Sequence, residues 1–219
     1  MSIKAVLFDL DGTLLNTLPD LHNITNITLR ELGYPERSME EVRMFVGHGA
    51  KKLIARALPE GVELTDAVLE RMMANYLKYQ NKLAVLYEGI EELLLELKTR
   101  GIQSAIVSNK PDAAAIGVWK KYFSETIAFA IGAREGMHIK PHPDQANEAM
   151  RVLGVRPEDC VYVGDSDTDV ETGANAGMET LSVTWGFRDE DFLKEHGAKL
   201  FIHDPAEILQ WILEKNNEE

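Results

Sequence analysis

Asp9 and Asp11 stand two residues apart, after the short apolar run Ala5-Val6-Leu7-Phe8 and just before Gly12. In a strand that spacing turns both side chains to the same side. The carboxylates therefore converge where the strand ends and Gly12 lets the chain turn. Two close carboxylates repel unless a cation or a proton sits with them, so the pair implies a divalent metal, a shared proton, or both. An Asp-Gly turn closing a strand is the plain structural alternative. It is weakened by three further polar clusters at or beside strand ends: Ser108 with Asn109, Lys140, and Asp165 with Asp169. Carboxylates with water suit Mg2+, which leans on substrate phosphate oxygens. Ser108 can donate to a phosphoryl oxygen, while Lys140 can neutralise developing charge and steady Asp9. One carboxylate can act as nucleophile and a second as general acid, then base. This inventory fits phosphoryl transfer achieved by positioning and electrostatics.

The elements that must position these groups follow from periodicity. Beyond the first strand the pattern is helical. Leu18, Leu21, Thr25, Thr28, Leu29 and Leu32 recur at helical spacing until Gly33 and Pro35. Ser38-Met39-Glu40-Glu41 has the form of a capping box. Ala50, Leu53, Ile54, Ala57 and Leu58 give another stripe, and Thr65 caps a helix carrying Val68, Leu69, Met72, Met73, Tyr76 and Leu77. No strand pattern interrupts this block, which reads as a small helical domain inserted after the first strand. From Tyr87 strands alternate with helices. Strands are expected at 102–107, 126–131, 160–163, 180–183 and 199–202, with helices between the first four and a last one from Pro205 capped by Asp204. The tail from Lys215 to Glu219 reads as a frayed polar end. Such alternation implies an α/β fold, a Rossmann-like doubly wound parallel sheet with right-handed crossovers. In such sheets ligands bind beyond the C-terminal ends of the strands, where the four polar clusters fall.

The chain has 219 residues, 45% hydrophobic and 27% charged, an ordinary balance for a globular protein able to bury a substantial core. The net charge of −13 argues against nucleic acid, because no basic face is available to release counterions. An anionic substrate would need locally placed cations or metal to overcome that field. No apolar run reaches membrane-spanning length, and Met1-Ser2-Ile3-Lys4 enters the first strand with no signal-peptide pattern. A single cysteine, Cys160, leaves no internal disulfide. A cytoplasmic location is expected, with no membrane partner.

Asp9-Leu10-Asp11-Gly12-Thr13-Leu14, Val107-Ser108-Asn109, Lys140-Pro141 and Gly164-Asp165-Ser166 followed by Asp169 resemble, in order and spacing, the four motifs of the haloacid dehalogenase superfamily. The resemblance covers essentially the whole chain, and the helical insertion resembles the mobile cap of that superfamily's first cap class. It implies a Rossmann-like core formed by residues 1–14 and 86–219 and a cap formed by 15–85. It implies Asp9 as nucleophile, Asp11 as general acid/base, and Ser108 and Lys140 as ligands of the transferring phosphoryl group. Mg2+ would be held by the side chains of Asp9 and Asp165 and the backbone carbonyl of Asp11. Asp169 would act through water or by orienting the ligands. Gly12, Thr13 and Asn109 complete the substrate-binding set. The presence of Asp11 argues for phosphate chemistry over carbon–halogen cleavage. Pro19-Asp20-Leu21, Val46-Gly47-His48-Gly49, Arg56-Ala57-Leu58, Ser108-Asn109-Lys110-Pro111 and Thr184-Trp185-Gly186-Phe187 resemble the phosphoglycolate phosphatase subgroup in wording. Asn16-Thr17 and His48 depart from it.

The expected activity is therefore Mg2+-dependent hydrolysis of a small phosphorylated metabolite, 2-phosphoglycolate first, through an aspartyl phosphate, by a monomer or homodimer. Two alternatives stay open. A sugar phosphomutase like β-phosphoglucomutase would use the same parts, and a non-catalytic phosphate-binding module could share the scaffold. In the cap loop, His48 and Lys52 are substrate-binding candidates, set against a helix connection with solvated lysines. Elsewhere structural roles are expected: His138 and His142 as incidental loop histidines, Met72, Met73 and Tyr76 as cap core, and Cys160 as a packed hydrophobe.

Overall fold

The computed structural model describes residues 2–217; Met1, Glu218 and Glu219 lie outside the described residues. Strand β1 (Ala5–Phe8) is buried along its whole length. Its side chains alternate between two cores, Val6 and Phe8 on one face and Ala5 and Leu7 on the other. A strand covered on both faces must be apolar throughout, as this one is.

Six strands form the sheet: β1, β4 (Gln103–Pro111), β5 (Phe129–Ala133), β6 (Cys160–Gly164), β7 (Glu179–Val183) and β8 (Leu200–Ile202). Their order is β5-β4-β1-β6-β7-β8 and every pairing is parallel. The chain builds outward from β1 to β5 on one side, then returns to β1 and builds outward to β8 on the other. That reversal opens a crevice at the C-terminal ends of β1, β4 and β6. Helices α5 (Ile90–Thr99) and α10 (Pro205–Asn217) cover one face through Leu93, Leu97, Ile208 and Ile212. Helix α7 (Asp144–Leu153) covers the other through Ala146, Ala149 and Met150. It ends on Gly154 in the left-handed conformation that a glycine tolerates.

Between β1 and α5 four helices pack around a core of their own: α1 (Leu18–Glu31), α2 (Met39–Phe45), α3 (Gly49–Ala57) and α4 (Asp66–Tyr79). The Ser38 capping box opens α2, with both reciprocal bonds to Glu41 formed, and Thr65 caps α4. The two chain crossings into this bundle pair as a short antiparallel ribbon, β2 (Leu15–Asn16) with β3 (Val85–Leu86). Two-residue strands carry no readable period, so the sequence pattern shows none there. Buried Asp20 clamps the crossing by accepting the backbone N–H groups of Lys82, Leu83 and Ala84 at 2.9–3.1 Å.

Several boundaries differ from expectation. Strand β4 runs on through Ser108 to Pro111, with its register against β5 shifting between Val107 and Pro111. Strand β5 lies at Phe129–Ala133, not 126–131, because Thr126 and Ile127 are taken up by bonds to the Phe123 carbonyl. Helix α6 (Asp112–Val118) passes into a wider π-type turn over Trp119–Phe123. An additional helix, α9 (Glu190–Glu195), is capped by Asp189. Lys215–Asn217 continue α10 and are not frayed; the rest of that tail is outside the described residues. Among the described residues, no helix is long and apolar enough to cross a membrane.

Candidate active site

Asp9 leaves β1 at the sheet's switch point, its N–H bonded to the Val163 carbonyl of β6 at 2.8 Å. Asp11 follows on the same loop, and Gly12 then turns with φ +98°. Only a residue without a Cβ fits there, since a Cβ would sit 2.3 Å from Asp165 Oδ2. Gly186 packs as closely from the other side, its Cβ position 2.3 Å from Asp165 Cβ. Asp165 is thus gripped between two glycines. Its oxygens accept the Phe187 N–H at 2.7 Å and the Thr13 hydroxyl at 3.2 Å. Trp185 Nε1 holds the Thr13 carbonyl at 3.0 Å.

Asp169 is the third residue of α8 (Asp167–Asn175) and forms a capping box with Ser166. Its Oδ2 accepts the Ser166 N–H at 3.1 Å and hydroxyl at 2.6 Å. Its Oδ1 takes Lys140 Nζ at 2.7 Å. The helix-terminus role and the functional cluster are therefore the same arrangement. Lys140 also touches Asp9 Oδ1 at 2.8 Å and donates to the Tyr162 hydroxyl at 3.1 Å, which engages all three of its protons. Fully buried Gln145 ties the loops together, accepting the Lys140 N–H at 3.3 Å and donating to the Ser108 carbonyl at 3.0 Å.

Asp9, Asp165 and Asp169 bring carboxylate oxygens within 4.8 Å of one another, all buried. Lys140 is the ammonium among them, so three carboxylates against one cation leave two negative charges out of water. Burial, then Asp169, push Asp9 up to about 7 against the opposing pull of Lys140. Burial, with Asp169 and Asp9 beside it, holds Asp165 well above the ordinary carboxylate range. Burial alone would pull Lys140 down, but Asp169 and Asp9 overcome it and hold the ammonium well above its usual value. A divalent cation would relieve the uncompensated charge, and the donors are all oxygen, as a hard ion requires. The residues fit Mg2+. Asp9 and Asp165 would hold it directly, while Asp169, its oxygens already engaged, orients Lys140 and the loop.

Above the acids lies a cavity of about 430 Å³, partly open to solvent. Asp9, Asp11, Ser108, Asn109, Lys110 and Lys140 form its polar floor, and Leu21, Val46, Ala50, Leu53 and Tyr76 of the bundle form its roof. Ser108 Oγ accepts the Lys110 N–H at 3.2 Å, which leaves its own proton for the cavity. Asn109 Nδ2 bridges the two halves, donating to the Gly47 carbonyl at 3.1 Å and the Lys140 carbonyl at 3.0 Å.

The structure brings Asp9, Asp11, Ser108, Asn109 and Lys140 to one cavity. Gly12 and Thr13 act behind it, on Asp165. His48 and Lys52 line a neighbouring open cleft, and at this loop the cavity wall is made by Gly47 and Gly49. The His48 ring lies 3.2 Å from Thr168 Oγ1, and burial pulls its pKa below the usual histidine value. His138 and His142 pair with Asp144 on the exposed loop at 2.7 and 3.0 Å. Cys160 is packed in the core, burial pushing its thiol up to about 12.

Sequence reasoning assigned no role to three residues. Lys110 Nζ bonds Asp11 Oδ1 at 2.9 Å and the Tyr76 hydroxyl at 2.9 Å. Arg188 donates to the carbonyls of Arg43, Met44 and Val46 at 2.8–3.2 Å, fastening the end of α2 to the loop after β7. Gln145 is the third. Lys110 alone left a signal, its place directly after Ser108-Asn109 at a strand end.

The chain belongs to the haloacid dehalogenase-like hydrolases, whose family model matches residues 6–183. It is 31% identical over 213 residues to a phosphoglycolate phosphatase of Pseudomonas putida, covering 94% of this chain and 78% of that one. It is 33% identical over 215 residues to the N-acetylmuramic acid 6-phosphate phosphatase of Pseudomonas aeruginosa, covering 95% and 94%. A crystal structure from Lactobacillus delbrueckii subsp. bulgaricus, of a protein provisionally assigned as a phosphoglycolate phosphatase, superimposes with a TM-score of 0.89. Its identity is 30%, over 97% of this chain and 99% of that one.

Proposed function

We propose that the protein is a Mg2+-dependent phosphatase acting on a small phosphomonoester, 2-phosphoglycolate being the best single substrate. The observation that carries this reading is Asp9. It lies at the floor of the cavity between bundle and sheet, in contact with Lys140 at 2.8 Å and beside two further buried acids, with Asp11 lining the same cavity.

In the proposed reaction an Asp9 oxygen attacks phosphorus in line. The bond from phosphorus to the ester oxygen breaks, and Asp11 gives its proton to the departing alkoxide. Asp11 then takes a proton from water, the water oxygen attacks the aspartyl phosphate, and the Asp9 carboxylate leaves. The Ser108 hydroxyl donates to the transferring oxygens, and Lys140, its N–H groups already engaged, acts on them through its charge and keeps Asp9 oriented. Bound Mg2+ would neutralise phosphoryl charge beside Asp9 and Asp165. The bundle α1–α4 acts as a cap over the reaction, with residues 15–85 moving on the β2–β3 ribbon and excluding bulk water. The single buried cysteine suits a reducing cytoplasm.

The test is phosphate release from a panel of phosphoglycolate, sugar phosphates, N-acetylmuramic acid 6-phosphate, nucleotides and pyrophosphate, with Mg2+ and then with chelator. Mg2+-dependent preference for phosphoglycolate supports reaction and substrate together. Activity confined to an amino-sugar acid phosphate keeps the reaction and replaces the substrate. An isomerised sugar phosphate without net release would indicate a mutase.

A further inference from the structure

The two lysines of the cavity are not equivalent. Lys140 spends its three protons on Asp9, Asp169 and Tyr162. Lys110 is also buried and lines the cavity, and its ammonium is shared between the two Asp11 oxygens, at 2.9 and 3.3 Å, and the Tyr76 hydroxyl at 2.9 Å. The contact to Asp11 Oδ2 is the longest of the three, so that N–H can turn to a better acceptor. Tyr76 accepts from Lys110, and among the described residues its own hydroxyl proton has no acceptor. Burial pushes that phenol up to about 12, so the proton stays in place at neutral pH. A buried phenol O–H without an acceptor thus stands beside a buried ammonium in the cavity, an arrangement that favours a bound anion accepting from both.

We propose that Lys110 and Tyr76 form an anion subsite that binds a carboxylate of the substrate, on the first carbon beyond the ester oxygen. The inference rests on the phosphatase reading and assigns the part of the site that selects the leaving group. The placement follows from Asp11. As the acid, Asp11 must approach the ester oxygen to about 2.8 Å, which sets Lys110, itself 2.9 Å from Asp11, roughly 5–6 Å from that oxygen. A carboxylate on the adjacent carbon projects its oxygens about 3 Å from the ester oxygen and so comes within hydrogen-bond reach of Lys110. A neutral alcohol would leave the charged donor poorly matched, and an ammonium at that point would be repelled. Tyr76 comes from α4 of the bundle and Lys110 from β4 of the sheet, so the subsite is complete only with the bundle closed on the core. The substrate carboxylate would then favour closure as well as binding.

The decisive comparison is 2-phosphoglycolate against 2-hydroxyethyl phosphate, the same skeleton with the carboxylate replaced by a hydroxymethyl group. Wild type should favour the acid by about tenfold to a hundredfold in kcat/KM, the range of a charged hydrogen bond. Lys110→Met should erase the preference, chiefly through KM, while Lys110→Arg restores part of it and Tyr76→Phe weakens it several-fold. Loss of the Asp11 contact slows both esters alike and cancels in the ratio. An unchanged ratio in Lys110→Met, or no preference in wild type, overturns the proposal. A second measurement is calorimetric binding of the same two esters to Asp9→Asn with Mg2+ present. If wild type releases no phosphate from any ester, the phosphatase reading fails, and the calorimetric preference, with its loss in Lys110→Met on the same background, decides the subsite on its own.

Discussion

Replacing Lys140 by Met keeps most of the length of the side chain and removes its charge. The ammonium stands 2.8 Å from Asp9 and 2.7 Å from Asp169, and its removal leaves the buried acids with no cation among them. Breaking a buried pair in this way costs about 3–5 kcal/mol. For a chain of this size each kcal/mol moves the midpoint by about 2–4 °C, so metal-free Lys140→Met should melt roughly 6–20 °C below wild type at pH 8. The pH dependence follows from Asp9, whose folded pKa is raised to about 7 from an ordinary 3.8. The folded state then binds the extra proton between those values. Its contribution to stability is fully present below about 4 and is lost as pH rises through about 7. Lys140 opposes that rise, so without it the carboxyl titrates higher still and the penalty grows in alkali. The deficit should therefore shrink at pH 5.5, where the Asp9 carboxyl is protonated. Mg2+ at a hundredfold excess over its dissociation constant should stabilise the variant by about 2.7 kcal/mol, and the same concentration should stabilise wild type less. Thermal melts at pH 5.5 and 8, with chelator and with Mg2+, read all of this. Equal midpoints at pH 8 in chelator, or a deficit that widens on acidification, would refute the electrostatic account of the cluster.

Two other substitutions test the scaffolding. Gly186→Ala forces a Cβ to within 2.3 Å of Asp165 and should displace that carboxylate. The Mg2+ needed for half-maximal activity should rise at least about tenfold, as expected when the support of a ligand is disturbed; an unchanged Mg2+ titration would show that Asp165 holds no metal. Arg188→Gln frees the carbonyls of Arg43, Met44 and Val46 at and just past the end of α2. Amide exchange over residues 43–50 should accelerate by about tenfold to a hundredfold, the equivalent of one charged hydrogen bond, with KM rising more than kcat falls. Unchanged exchange there would mean that this contact does not govern closure.

The polar floor of the cavity was legible in the sequence because its groups follow buried strands, and a buried strand is a run of apolar residues that needs no partner to be recognised. Asp9, Ser108 and Asp165 announce themselves by ending such runs. Capping chemistry was equally readable at Ser38, Thr65 and Gly154, where a side chain or a missing Cβ satisfies local backbone groups. Contacts between distant segments left no such trace. Tyr76 sits at helical spacing with Met72 and reads as core, and nothing local shows that its hydroxyl ends on Lys110 across the cavity. Arg188 and Gln145 find their partners only after the bundle and the sheet have packed. The β2–β3 ribbon is too short for a period, and α9 is only six residues long. Asp169 was ambiguous between a helix terminus and a member of the acidic cluster because its carboxylate caps Ser166 and pairs with Lys140 at once.

The central claim is that Asp9 accepts the phosphoryl group. Wild type and Asp9→Asn should be mixed with 2-phosphoglycolate and Mg2+, quenched in acid within the first turnover, and digested for mass spectrometry of the peptide carrying Asp9. The account predicts one added phosphoryl group on Asp9 in wild type, and in Asp9→Asn neither that mass nor released phosphate from a protein that still folds. Phosphate release by Asp9→Asn at the wild-type rate would contradict it.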